Sequence, residues 1–150
     1  MRIVLQRVKY ARVNVDDECV GSIGRGVLAL VGINTGDDIK VIDNMLKKMS
    51  SLRIFEDEDD KMNLSAADIG GGILLIPNFT IYADARKGTR PSFAMGAKPN
   101  EAKEVFELMV KRAKETLTTD VQSGIFQADM KVELLNDGPV TILLDSDKLF

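Results

Sequence analysis

The sequence predicts a mixed α/β fold in which sheets curl into a barrel-like core, with two main helices packed outside. Three observations carry that expectation. Glycine-punctuated runs of β-branched and aliphatic residues occupy both ends of the chain, residues 3 to 31 and Val121 to Leu144. Two stretches, beginning at Ile39 and Pro99, instead repeat apolar residues every three or four positions, the spacing of a helix with one buried face. A hydrophobic content of 45% over 150 residues suits one domain, 1–150, with a substantial core, and is short for two.

In the first β-like region Val13, Val15 and Val20 are β-branched, and Val27 to Val31 is a run of the buried type. Gly21, Gly24 and Gly26 read as turn glycines, because the segment has neither the lysine-serine ending of a phosphate loop nor a helical pattern after it. Arg7, inside the first strand, is either a solvated strand residue or a buried anchor. Asn34 to Asp38 is a loop ending in a helix cap, after which Ile39, Ile42, Leu46 and Met49 form an apolar stripe. Lys47 and Lys48 lie on the opposite face, as a solvated pair or an RNA contact. Arg53-Ile54-Phe55 reads as a short strand. The five acids from Glu56 to Asp60 lack the glycine and closing glutamate of an EF-hand loop, so they read as a solvated turn.

Ile73 to Ile76 is a buried strand that delivers Pro77-Asn78-Phe79-Thr80-Ile81-Tyr82-Ala83-Asp84 to one place. The densest basic group of the chain follows, Arg86, Lys87 and Arg90, closed by Pro91-Ser92-Phe93 and suited to a phosphate contact. Pro99 fits the first turn of a helix whose stripe is Ala102, Val105, Phe106, Met109, Ala113 and Leu117. In the last β-like region Gly124 and Gly138 act as breaks.

Composition limits the chemistry. There is no histidine, which removes the commonest general base, the usual partner of a nucleophilic serine or cysteine, and the commonest metal ligand. Cys19 is the only cysteine, so no internal disulfide or cysteine-based zinc site is expected, and no metal or cofactor is assigned. Asp17 and Glu18 beside it supply no positive charge to favour a thiolate, so it is expected to be inert. The net charge of −3 argues against coating long nucleic acid and leaves room for gripping one RNA end. No apolar run reaches the ~18 residues of a membrane span, and no signal peptide is visible, so the expected location is the cytoplasm.

One stretch stands apart from this inventory. Asn136-Asp137-Gly138-Pro139 falls between the β-like runs Met130 to Leu135 and Val140 to Leu144, where proline cannot donate a ladder hydrogen bond. It is either a hairpin turn or a rigid corner aimed at a ligand. A Gly-Pro corner can turn two carbonyls one way with no side chain intervening, and X-Pro bonds alone go cis at low cost.

Taken with Pro77 to Asp84 and Lys87-Gly88-Thr89-Arg90-Pro91-Ser92-Phe93, this stretch resembles the D-aminoacyl-tRNA deacylases, the D-tyrosyl-tRNA deacylase family. The likeness begins at Met1-Arg2-Ile3-Val4-Leu5-Gln6-Arg7-Val8, passes through Gly21-Ser22-Ile23-Gly24 and Arg53-Ile54-Phe55, and ends at Asn136 to Thr141. It covers essentially the whole chain. The family usually reads Ser-Gln-Phe-Thr-Leu where this chain has Pro77-Asn78-Phe79-Thr80-Ile81, so only Phe79 and Thr80 are retained there.

The resemblance implies hydrolysis of the ester joining a D-amino acid, or glycine, to the 3′-terminal adenosine of tRNA. It places catalysis at Phe79 and Thr80, the backbone N–H groups of both forming an oxyanion site. Substrate-binding positions are Asn78, Ala102, Met130, Gly138, Pro139 and Arg7, with Arg7 supporting the Gly-Pro corner and Ala102 leaving room for the adenosine. It further implies a homodimer in which each corner, with a cis Gly138–Pro139 bond, enters the partner's pocket and rejects L-aminoacyl groups by clash. The competing class is a non-catalytic nucleic-acid-binding protein using Phe79, Tyr82 and Phe93 as stacking platforms. A hydrolase of free D-amino acid esters shares the chemistry but needs no adenosine pocket.

Overall fold

The computed structural model describes residues 1–149. Its first strand, β1 (Arg2–Val15), is long enough to take three partners. The N-terminal half of β1 pairs antiparallel with β3 (Gly26–Gly32), from Arg2↔Gly32 to Val8↔Gly26. The C-terminal half pairs with β2 (Glu18–Ile23). Along its other edge runs β8 (Lys131–Asp145), antiparallel from Arg2↔Asp145 to Asn14↔Lys131. The sheet continues through parallel pairing of β3 with β6 (Gly72–Pro77) and of β6 with β7 (Val121–Ser123).

Parallel strands covered on both sides read as unbroken apolar runs, and β3 and β6 do so. Val27, Ala29, Val31, Ile73 and Leu75 face one core layer, while Leu28, Leu74 and Ile76 face the other. The sheet curls to enclose that second layer with Val8, Ala11, Val13 and Ile23, which gives the barrel-like form expected. Curling needs close backbone approach. A Cβ on Gly26 would stand 2.0 Å from the Gly72 carbonyl oxygen, and one on Gly21 would stand 3.0 Å from that of Ser123. These two glycines therefore lie in strands, and of the three expected turn glycines only Gly24 falls between strands.

Both helices cover the first layer. In α1 (Ile39–Ser51) Asp38 caps the start by accepting from the Lys40 and Val41 N–H groups, both at 2.9 Å. Ile42, Met45, Leu46 and Met49 are its buried residues. Ile39 was expected on that face but, as the first residue of the helix, is 47% exposed, while Met45 is buried. In α2 (Pro99–Thr116) proline opens the helix and Ala102, Phe106, Met109 and Ala113 are buried. A bidentate pair joins the helices, Arg112 Nε and Nη2 to Asp43 at 2.9 and 2.8 Å. The acidic run is the turn of a small hairpin between β4 (Phe55–Glu56) and β5 (Met62–Leu64), where Asp57 Oδ1 accepts from the Asp59 and Lys61 N–H groups. The short strand expected at Arg53 thus starts only at Phe55.

Candidate active site

Pro77 ends β6, and the Asn78 N–H still donates to the Val31 carbonyl at 2.8 Å. The chain then tightens into one turn of 3-10 helix, Phe79–Tyr82. Asn78 causes that turn: its side-chain oxygen accepts from the Thr80 N–H at 3.1 Å and from the Thr80 hydroxyl. Tyr82, 4% exposed, pins the turn from behind, its ring close enough to Gly32 that a Cβ there would meet Tyr82 Cδ2 at 3.0 Å. The Arg2 guanidinium lies 4.6 Å from the centre of that ring, and burial pushes the phenol pKa upward. With its back fixed, the turn presents Phe79 and Thr80 outward.

They face a cavity of about 930 Å³, within the usual size range of small-ligand sites. Asn78, Phe79, Thr80, Ala102 and Met130, five of the eight expected site residues, line it together. Ala102 is 8% exposed, and its small side chain keeps the α2 wall open. The Thr80 hydroxyl proton is committed to an amide oxygen, which has no basicity to take it. Among the described residues no carboxylate or amine bonds Thr80. The Thr80 N–H is likewise engaged by Asn78, leaving Phe79 N–H, first in the turn and without a partner inside it, as the main-chain donor best placed for a ligand oxygen.

Arg7, Gly138 and Pro139 lie outside this cavity. Arg7 is the buried anchor of the two alternatives, 4% exposed, donating at 2.7 Å to both the Asp137 and Ile54 carbonyls. The hairpin alternative for residues 136 to 139 is overturned. β8 pairs with β1 on both sides, Val8↔Asn136 and Gln6↔Thr141, and the four intervening residues bulge out opposite Arg7. Gly138 therefore does not break the strand. The bulge is held by Asn136, whose side chain accepts from the Val140 N–H at 2.8 Å and donates to the Val140 carbonyl at 3.1 Å. Gly138 takes φ +141°, the Gly138–Pro139 bond is cis, and both residues are exposed.

Sequence reasoning missed part of the cavity wall. Phe126, Gln127, Ala128 and Asp129 line it, and Gln127 takes φ +62°, a conformation its residue type does not signal. Phe93 also lines the cavity and packs edge-on to Phe79 at 5.3 Å.

The class that this fold and site define is a mixed α/β protein with a cavity of small-ligand size between a 3-10 turn and a helix, without a histidine-based triad. The chain belongs to the D-Tyr-tRNA(Tyr) deacylase family, whose model matches residues 4–145. It is 53% identical over 150 residues to the D-aminoacyl-tRNA deacylase of Kosmotoga olearia and 51% identical to that of Clostridioides difficile, all of each chain being covered in both cases. A solved structure of c-Myc DNA Unwinding Element Binding Protein superposes with a TM-score of 0.91 at 35% identity, over 97% of this chain and 98% of that one. A probable eukaryotic D-amino acid tRNA deacylase shares the fold at a TM-score of 0.74 and 17% identity, over 95% and 97% of the two chains.

Proposed function

We propose that this chain hydrolyses the ester between a D-amino acid, or glycine, and the 3′-terminal adenosine of tRNA, releasing free tRNA. The observation that carries the reading is the family match over residues 4–145, seated on a cavity of about 930 Å³ that Phe79, Thr80 and Ala102 line together. An aminoacyl ester is already activated, so the protein needs mainly to hold the carbonyl, stabilise its developing negative charge and admit water. Phe79 N–H supplies the donor to that oxygen. Thr80 positions rather than attacks, because its proton points to Asn78 and no base stands beside it. The substrate's own 2′-hydroxyl orients the water, which suits a protein with no histidine. Ala102 and Met130 frame the adenosine.

The corner supplies chirality. Gly138 and Pro139 are exposed, outside their own chain's cavity, and braced by Arg7 and Asn136. A second copy of the chain brings that corner to the α-carbon of the bound ester, where there is room for hydrogen but not for an L side chain. Glycine passes the same test. This substrate places the protein in the cytoplasm; among the described residues no helix is long and apolar enough to cross a membrane.

Incubation with D-tyrosyl-tRNA, L-tyrosyl-tRNA, glycyl-tRNA and D-tyrosine methyl ester tests the reading. Release is expected from the first and third and not from the second, with slow turnover of the methyl ester. A second reading, nucleic-acid binding without catalysis, is favoured by the structural relative named for binding a DNA unwinding element. Retention of D-tyrosyl-tRNA without release of tyrosine is the result that selects it.

A further inference from the structure

Beside the cavity stands a built loop that the reaction has not used. Asp84 and Ser92 exchange both backbone hydrogen bonds, at 2.8 and 2.9 Å, closing residues 84–92 into a tied loop. One stem continues from the turn that carries Thr80, and the other runs into Phe93 on the cavity wall. The loop is therefore anchored at the cavity wall. Its charges are sorted: Asp84 grips Arg86 at 2.8 and 2.7 Å, so one carboxylate offsets one of three cations. Lys87 and Arg90 remain, both exposed and with no ion pair among the described residues. A local surplus of two positive charges on a loop anchored at the cavity wall is conspicuous in a chain of net charge −3.

At the base of the loop the aromatic rings are open. Phe79 is 67% exposed and Phe93 50%, and their interplanar angle of 69° leaves a face of Phe93 clear of its neighbour. Unstacked bases bind such faces while cations follow the phosphates, a combination that suits single-stranded nucleic acid and requires no sequence readout.

We propose that the 84–92 loop grips the single-stranded 3′ end of tRNA, with Lys87 and Arg90 on the phosphates that precede the terminal adenosine and Phe93 under a base. This rests on the deacylase reading above. It assigns substrate recognition beyond the aminoacyl-adenosine to two cations outside the cavity's lining, joined to it through Phe93, and it accounts for how an acidic protein approaches RNA.

The test compares D-tyrosyl-tRNA with 3′-O-D-tyrosyl-adenosine, which carries no phosphate, for wild type and the Lys87→Ala/Arg90→Ala double variant. The ratio of kcat/KM for tRNA to that for the adenosine ester should fall about tenfold in the variant, mainly through KM. The slope of log kcat/KM against log salt on tRNA should flatten by about 1.4, at about 0.7 for each single-strand phosphate lost. Lys47→Ala/Lys48→Ala, which removes the same charge from α1, should change neither quantity. An unchanged ratio, equal losses on both substrates, or the same effect from the α1 pair overturns the proposal. Wild-type protein that turns over neither substrate overturns the deacylase reading and the loop's role with it, whereas wild-type turnover with an unaffected double variant overturns the loop alone.

Discussion

The cavity wall and the Gly-Pro corner are built on opposite plans. The wall is concave and lightly bonded: a single 3-10 turn, one asparagine cap on Thr80, and an exposed Phe79 whose N–H has capacity left for a ligand. The corner is convex and over-determined, with Arg7 donating to Asp137 and Asn136 bridging both polar groups of Val140. On the proposed function, the Phe79 N–H that would bind is left unsatisfied, while the corner that would reject is held rigid, since rejection works only if the obstacle cannot yield. Each plan lacks what the other supplies, which is the physical case for completing the site with a second chain.

The sharpest way to break this comparison is to disable one half in each of two variants and mix them. Ala102→Phe fills the cavity and should lower D-tyrosyl-tRNA hydrolysis by about a hundredfold, with the fold retained at an overpacking cost of about 1–3 kcal/mol. Gly138→Ala places a Cβ 2.7 Å from Val140 Cγ2 and 3.1 Å from Arg7 Nη2 in a strained backbone conformation, so the corner must shift. Alone it should reduce D-over-L discrimination by about tenfold or more, measured with the two tyrosyl-tRNAs. If the site is shared, refolding the two variants together by random pairing gives about half of the open cavities an intact corner from the other chain, so L-tyrosyl-tRNA hydrolysis should fall to roughly half its value before mixing while D-tyrosyl-tRNA hydrolysis holds. No fall in L-tyrosyl-tRNA hydrolysis on mixing would place cavity and corner in the same chain's site.

Arg7→Met sharpens the account of the corner. It leaves the Asp137 and Ile54 carbonyls without their charged donor and should cost about 2–3 kcal/mol in a denaturant melt, with discrimination falling alongside. A stable variant with intact selectivity would show that the bulge holds itself. Thr80→Ala probes the other plan. With the hydroxyl only positioning water, about tenfold less activity should remain, worth roughly one hydrogen bond, and rapid quenching should trap no acyl-enzyme in wild type.

The smallest expected effect is one of pH. Bonding to Arg86 holds the Asp84 carboxyl well below its ordinary range. A carboxylate depressed in the folded state contributes stability above its unfolded pKa, near 4, and loses it only as pH falls through the lower folded value. The 84–92 loop should therefore keep its hydrogen-exchange protection from pH 7 to 5 and loosen only in stronger acid. Loosening already at pH 6 would mean that another group governs the loop.

Local pattern determined much of this molecule. The stripe from Ile42 to Met49, the Asp38 cap and the proline start of α2 were legible because a helix buries one face and needs its first N–H groups satisfied. The β3 and β6 runs were legible because strands covered on both sides leave no alternation. The motifs around Phe79 and Gly138 indicated the family before any coordinates did. Tertiary structure alone decided what depends on neighbours distant in sequence. Gly21 and Gly26 looked like turns, since the demand for no side chain comes from Ser123 and Gly72 across the curl. Gly138-Pro139 was compatible with a hairpin until β8 paired with β1 on both flanks. Arg7 could not be called buried or solvated without Asp137 and Ile54 beside it. That the corner stands apart from its own chain's cavity was implied only by the family resemblance and not by the residues themselves, because sequence records which groups are present, whereas burial and facing are set by chain segments more than a hundred residues apart.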